Sequence, residues 1–124
     1  MLEQSGHSPE SPLRQKPTNS VELYDDGFLR VEHSHYFVTC GGINIKLGRA
    51  EFLIVSILVQ NANRFIAGEV IWNHVWKGKR PFNQESLKVF IYNLRRQFAP
   101  FGITIETMIK VGYKLIPDEK SSEI

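Results

Sequence analysis

The spacing of hydrophobic residues changes twice along the chain, and each change marks a different kind of element. Residues 1 to 20 are dominated by Ser, Pro, Gln, Asn and charged residues, with Leu13 the only large apolar residue after Leu2. That composition predicts a disordered tail or linker. From Phe28 the period is two. In FLRVEHS, Leu29 and Val31 alternate with Phe28, Arg30 and Glu32, and YFVTC follows after a polar break at His35. A hairpin or meander is expected there. Gly41-Gly42 supplies the next turn, after which Ile43, Ile45 and Leu47 alternate with Asn44 and Lys46 as a further strand. Together these segments predict a small antiparallel platform, preceded by a turn at Asp25-Asp26-Gly27.

A helical period then takes over. The first helix is predicted to begin near Arg49, with Gly48 as N-cap and Glu51 in the first turn, where its charge suits the helix dipole. From Phe52 to Val59 it is apolar nearly all round except at Ser56, so it belongs between the platform and the other helices. Asn61 to Arg64 end it, and a second helix is expected from Ala67 to Trp76. The third, over 83–99, is amphipathic: Leu87, Ile91, Leu94 and Phe98 fall at four-, three- and four-residue steps and share one stripe. On the opposite face Glu85, Val89, Tyr92 and Arg96 point farthest from the core, flanked by Lys88, Asn93, Ser86 and Arg95. Asn83 is suited to cap this helix. After Phe101-Gly102, ITIETMIK and VGYKLI read as two short strands around Lys110, a ribbon over 103–116. Residues 118–124 read as a second disordered tail, leaving one domain over 21–117.

Composition narrows the class. A chain of 124 residues with 42% apolar content supports one domain with a modest core. No apolar run approaches the roughly 18 residues that span a bilayer. The N-terminus has no apolar secretory segment, and the lone Cys40 excludes an intramolecular disulfide framework, so a reducing cytoplasm is the expected compartment. Cys40 itself reads as a small apolar residue at a strand end. The net charge of +2 says little until its distribution is considered. Residues 1 to 76 carry 6 Lys and Arg against 8 Asp and Glu, whereas residues 77 to 114 carry 8 against 2. The third helix and the ribbon therefore lie in a strongly cationic stretch, as a nucleic-acid face requires.

The stretch from Leu47 to Leu115 resembles the OmpR/PhoB-type winged-helix domain, the DNA-binding half of many bacterial two-component response regulators. The motifs that carry the resemblance are Leu47-Gly48-Arg49-Ala50-Glu51-Phe52, Val75-Trp76, Leu94-Arg95-Arg96, and Thr107 with Gly112-Tyr113. The preceding strands extend it to about Val21. The resemblance implies an α+β winged helix-turn-helix: a three-helix core, an N-terminal antiparallel strand platform and a C-terminal β-hairpin wing. It also implies a sequence-specific regulator of transcription in the bacterial cytoplasm, bound to double-stranded DNA, with the 83–99 helix in the major groove and the 103–116 wing at the adjacent backbone or minor groove. Tandem or homodimeric binding on direct repeats is expected as well.

Site residues follow from the resemblance together with outward direction. Lys88, Tyr92, Asn93 and Arg96 are expected at the major groove, Asn93 suited to adenine and Arg96 to guanine. Arg95 is expected on phosphate, Val89 at a thymine methyl, and Ser86 beside them. Glu85 either accepts from a cytosine amine or complements the helix dipole. In the wing, Thr107 and Lys110 are the expected contacts. The 77–83 loop, with Lys79 and Arg80, contacts flanking phosphate, docks RNA polymerase as the family loop does in some members, or is simply solvated.

The chain departs from the family pattern at informative positions. The family wing has an Arg that enters the minor groove two residues after the Thr; here that position is Ile109. In the recognition helix, Arg-Thr-Val-Asp-Val-His is replaced by Glu85, Ser86, Leu87, Lys88, Val89 and Phe90, so sequence preference should differ. Gly48 and Ala67 stand where Thr and Ser caps are usual.

Other chemistry finds little support. His33 and His35 lie two apart with no third ligand in view, and no metal or cofactor is expected. No Walker-type phosphate loop or nucleophile elbow occurs, so an enzyme is not expected. The acidic pair Asp25-Asp26 resembles that of a receiver domain, but these residues leave no room for one, and the chain reads equally as a separated effector domain or a standalone regulator. The alternative function is a winged-helix protein-interaction module with little DNA affinity, binding another regulator or RNA polymerase, motivated by Val89, Phe90, Tyr92 and Ile109.

Overall fold

The computed structural model describes residues 18–20 and 22–117; residues 1–17 of the tail predicted over 1–20, the tail predicted over 118–124, and Val21 lie outside the described residues. Five short strands come first: β1 (Thr18–Asn19), β2 (Leu23–Asp25), β3 (Leu29–Glu32), β4 (Phe37–Cys40) and β5 (Ile43–Asn44). They form one antiparallel sheet in sequence order. The register aligns Tyr24 with Val31 and Val31 with Val38, and Leu29 with Cys40, so all five side chains enter the core from one face. Arg30 and Glu32 occupy the other face, where Arg30 bridges Asp25 at 2.8 Å and Glu32 at 3.0 Å.

Two strands differ from expectation. Thr18 and Asn19, placed in the tail by composition, pair as β1 with Asp25 and Tyr24. The pairing uses backbone, and both side chains are exposed, which is why no hydrophobic signal announced it. Asn19 Nδ2 also donates to the Gln60 carbonyl at 3.0 Å, tying this edge to the first helix. The strand expected over 43–47 is only two residues long; the Ile45 N–H still donates to the Val38 carbonyl at 2.9 Å, and the chain then runs irregularly to the first helix at Arg49. The Asp25–Gly27 turn forms as expected: Asp26 is buried, and its Oδ1 accepts the N–H groups of Phe28 and Leu29.

Three helices follow: α1 (Arg49–Gln60), α2 (Gly68–Trp76) and α3 (Gln84–Phe98). Helix α1 is buried at Phe52, Leu53, Ile54, Val55, Ser56, Leu58 and Val59, and the Tyr36 ring stacks on Phe52 with centroids 4.9 Å apart. Lacking a side chain, Gly48 forms only half a capping box, its N–H donating to Glu51 Oε1 at 3.4 Å. Helix α2 buries Ile71, Trp72 and Val75, and stops where Lys77 adopts a left-handed conformation at φ 55°. Among the described residues no helix is long and apolar enough to cross a membrane.

A short 3-10 turn (Ala99–Phe101) then leads to β6 (Thr104–Met108) and β7 (Gly112–Ile116), a two-stranded ribbon. It is fastened to the α1–α2 connection by a reciprocal pair of backbone bonds, Ile66 N–H to the Tyr113 carbonyl at 2.8 Å and Tyr113 N–H to the Ile66 carbonyl at 2.9 Å. The approach is so close that a Cβ on Gly112 would sit 2.0 Å from the Ile66 oxygen. Glycine is required there so that the ribbon can lie against the helices.

Candidate nucleic-acid interface

Helix α3 is fixed along its inner face by Leu87, Ile91, Leu94 and Phe98, all fully buried. Asn83 caps it through a 2.9 Å bond from the Ser86 N–H to its side-chain oxygen. With that stripe inward, Lys88, Val89, Tyr92 and Arg96 are exposed, while Ser86, Asn93 and Arg95 are half-buried at the flanks. The Arg96 guanidinium lies over the Tyr92 ring, 5.9 Å from its centroid, which keeps a planar cation and an aromatic face side by side. Lys88 Nζ stands 3.6 Å from Glu85 Oε2, one turn earlier. In solution this exposed pair is worth little and competes weakly with a phosphate.

Between α3 and the ribbon runs an open cleft of about 560 Å³. Gln84 and Lys88 line one wall and Thr107 to Tyr113 the other, with Ala67, Gly68, Glu69 and Phe82 at its end. A smaller recess of about 250 Å³ repeats Lys88, Thr107 and Tyr113 and adds Ile91 and Arg95. Lys88 is thus brought to one groove with Thr107 and Lys110, which lie on the distant hairpin. Gln84 Nε2 donates to the Tyr113 hydroxyl at 3.3 Å and crosses the groove floor. Gln84 was not anticipated as a site residue; its four-residue offset from Lys88 was the available signal.

Arg95, expected on phosphate, has partners on β6 within the chain. Its Nε donates to the Ile105 carbonyl at 2.8 Å and its Nη2 to the Thr107 hydroxyl, so the guanidinium is engaged with β6. Arg95 and Thr107 together lock α3 to the ribbon. Phe90, expected in an exposed strip, is half-buried, its ring 5.8 Å from that of Trp76 and packed against the core. The reason is angular: Phe90 sits beside Ile91 and Leu94 rather than opposite them.

Lys79 and Arg80 do not line the cleft. Their loop is held rather than loose, since Trp72 Nε1 donates to the Arg80 carbonyl at 3.0 Å and the Arg80 guanidinium lies over the Trp76 ring at 5.1 Å. His33 turns inward, its Nδ1 2.8 Å from Ser56 Oγ, whereas His35 is exposed and faces Glu32 at 3.4 Å. The two imidazoles do not converge. Burial pushes the His33 imidazole below its ordinary value, and burial with the nearby Lys77 and His33 charges does the same to His74.

A cationic helix exposed beside a pinned two-stranded ribbon, over a three-helix core, defines a winged helix-turn-helix. Residues 42–115 match the family model described as "Transcriptional regulatory protein, C terminal", and the chain belongs to that family, the DNA-binding effector domains of OmpR/PhoB type. This is a family of transcription regulators and not of enzymes. The response regulator ArlR of Staphylococcus aureus is 29% identical over 103 residues, covering 82% of this chain and 46% of its own length. The chain therefore spans about half the length of the curated relatives it matches. Thermotoga maritima DrrB, an OmpR/PhoB homolog, superposes with a TM-score of 0.64 at 26% identity, over 77% of this chain and 44% of that one. The Klebsiella pneumoniae RstA DNA-binding domain, solved in complex with the RstA box, gives 0.65 at 22% identity, over 77% and 98% of the two chains.

Proposed function

We propose that residues 21–117 act as a sequence-specific double-stranded-DNA-binding transcriptional regulator, with α3 in the major groove and the wing at the adjacent backbone or minor groove. The observation that carries the reading is the cleft: α3 and the wing face each other across a gap lined by Lys88 and Lys110 and open to solvent. One sugar-phosphate strand in that gap puts α3 on its major-groove side and the ribbon on the other. Arg96, Tyr92 and Asn93 then reach base edges, with Val89 at a thymine methyl and Ser86 near the backbone. Arg95 and Thr107 contribute by holding the two walls in register. The complex of the RstA domain with its box supports this use of the fold.

Dimethyl sulfate protection on a duplex enriched by the protein tests the reading, because the reagent modifies guanine N7 in the major groove. A protected guanine whose protection is lost in Arg96→Ala supports it; unchanged reactivity throughout a saturated complex overturns it. One copy presents a small interface, so two copies on adjacent direct repeats should bind more tightly than one. The loop cations Lys79 and Arg80 lie outside the cleft and are left for flanking phosphate or for RNA polymerase. Lys79→Glu separates these roles: weaker binding to DNA alone marks phosphate, and lost transcription with DNA binding intact marks polymerase.

A second reading, a protein-interaction module, is favoured by the exposed Val89 and Tyr92 on α3 and by the apolar wing tip. It predicts a partner complex that survives replacement of both Lys88 and Arg96 by Ala.

A further inference from the structure

The end of the wing is apolar where a DNA contact ordinarily carries charge. Ile109 is 81% exposed, and Met108 and Val111 beside it are about half exposed, at 46% and 48%. Scattered apolar side chains are normal on a surface, but three around one hairpin tip are a shaped feature. The tip is also held in place. The Val111 N–H closes the turn on the Met108 carbonyl at 2.9 Å, Met108 pairs with Gly112, and Tyr113 is bonded in both directions to Ile66. Ile109 is β-branched, so its side chain has few rotamers and little entropy to lose on contact.

We infer that Ile109 is a minor-groove wedge, inserting between adjacent base pairs of the bound duplex and partly unstacking them. The inference rests on the proposed function, since it is α3 in the major groove that brings the wing to the minor-groove side of the strand filling the cleft. In the minor groove, which presents no thymine methyl, Ile109 cannot read a base edge, and it has no charge to neutralise a phosphate. An apolar side chain entering the minor groove acts by separating a base step and bending the duplex toward the major groove. Lys110, on the same turn at φ 66° and lining the same cleft, supplies the phosphate contact that anchors the tip. Flexible pyrimidine–purine steps yield most readily, so this chain should favour TA or CA/TG at the wing position, where an Arg would favour a narrow A-tract.

The test uses a duplex enriched from a random pool by the protein itself, with 2-aminopurine placed at each A·T pair in turn. Fluorescence is expected to rise several-fold at one step outside the segment protected by α3. Ile109→Ser should return it to the level of free duplex and weaken binding roughly tenfold. The salt dependence should not change, because no cation is removed, and Ile109→Leu should keep the signal. A saturated complex with no rise at any position, or a rise undiminished in Ile109→Ser, overturns the wedge while leaving DNA binding intact. Loss only of cooperativity between two copies on paired half-sites also overturns it, and seats the tip on a second copy. Absence of any anisotropy change at low salt overturns the wedge and the proposed function together.

Discussion

The Arg95 guanidinium donates through Nε to the Ile105 carbonyl at 2.8 Å, joining the last turns of α3 to the first strand of the wing. One side chain thereby sets the distance between the two elements proposed to straddle a DNA strand. Arg95→Ala should cost about 1–2 kcal/mol of stability and increase amide exchange in β6 and β7. Arg95→Lys should rescue little, because one ammonium cannot reproduce the fork that also reaches Thr107. DNA affinity should fall while the salt dependence stays nearly the same; a slope reduced by a full phosphate contact would place Arg95 on DNA instead.

Lys88 and Arg96 predict the opposite pattern. Both are exposed on α3, so replacing either by Ala should change the unfolding free energy by no more than about 0.5 kcal/mol. Lys88→Ala should weaken binding similarly on all sequences and lower the salt slope by about one. Arg96→Ala should cost about 1–3 kcal/mol on the preferred site and relax the choice of base at one position. Parallel titrations on preferred and mixed-sequence duplexes check this.

At Gly112 the constraint is steric. Gly112→Ala must move either the wing or the α1–α2 connection, since the added carbon meets the Ile66 carbonyl. A loss of roughly 3 kcal/mol or more is expected in denaturant unfolding. Gly42→Ala controls for conformation alone, because it also has a positive φ, at 84°, yet nothing lies within 4 Å of its added Cβ.

Much of this was legible from local pattern. The stripe of Leu87, Ile91, Leu94 and Phe98 fixed the orientation of α3, and Gly41-Gly42 and Asn83 marked a turn and a cap whose chemistry is local. Contacts between distant segments were not legible. Arg95 looks like any outward cation until β6 is brought against it. Thr18 and Asn19 form a strand through backbone pairing alone, which leaves no mark in composition.

Stability should depend on pH through the buried imidazoles. Burial lowers the proton affinity of His33 and His74 relative to the unfolded chain, whose ordinary value is near 6.5. Above that value neither state is protonated and the contribution to stability is complete. As pH falls below it, the unfolded chain takes up protons that the folded one resists, and stability is lost down to the folded values. The urea midpoint should therefore drop between pH 7 and pH 5, and the drop should be smaller in the His33→Asn, His74→Gln double variant. Equal drops in both proteins would assign the effect to other groups.

The measurement closest to the central claim is fluorescence anisotropy of the protein with mixed-sequence duplex DNA across a salt series. Binding that weakens steeply with salt is predicted, with a log–log slope of about −0.9 for each phosphate neutralised and several phosphates engaged. No binding even at low salt would contradict autonomous DNA recognition and move the cleft and the wing tip to a protein partner.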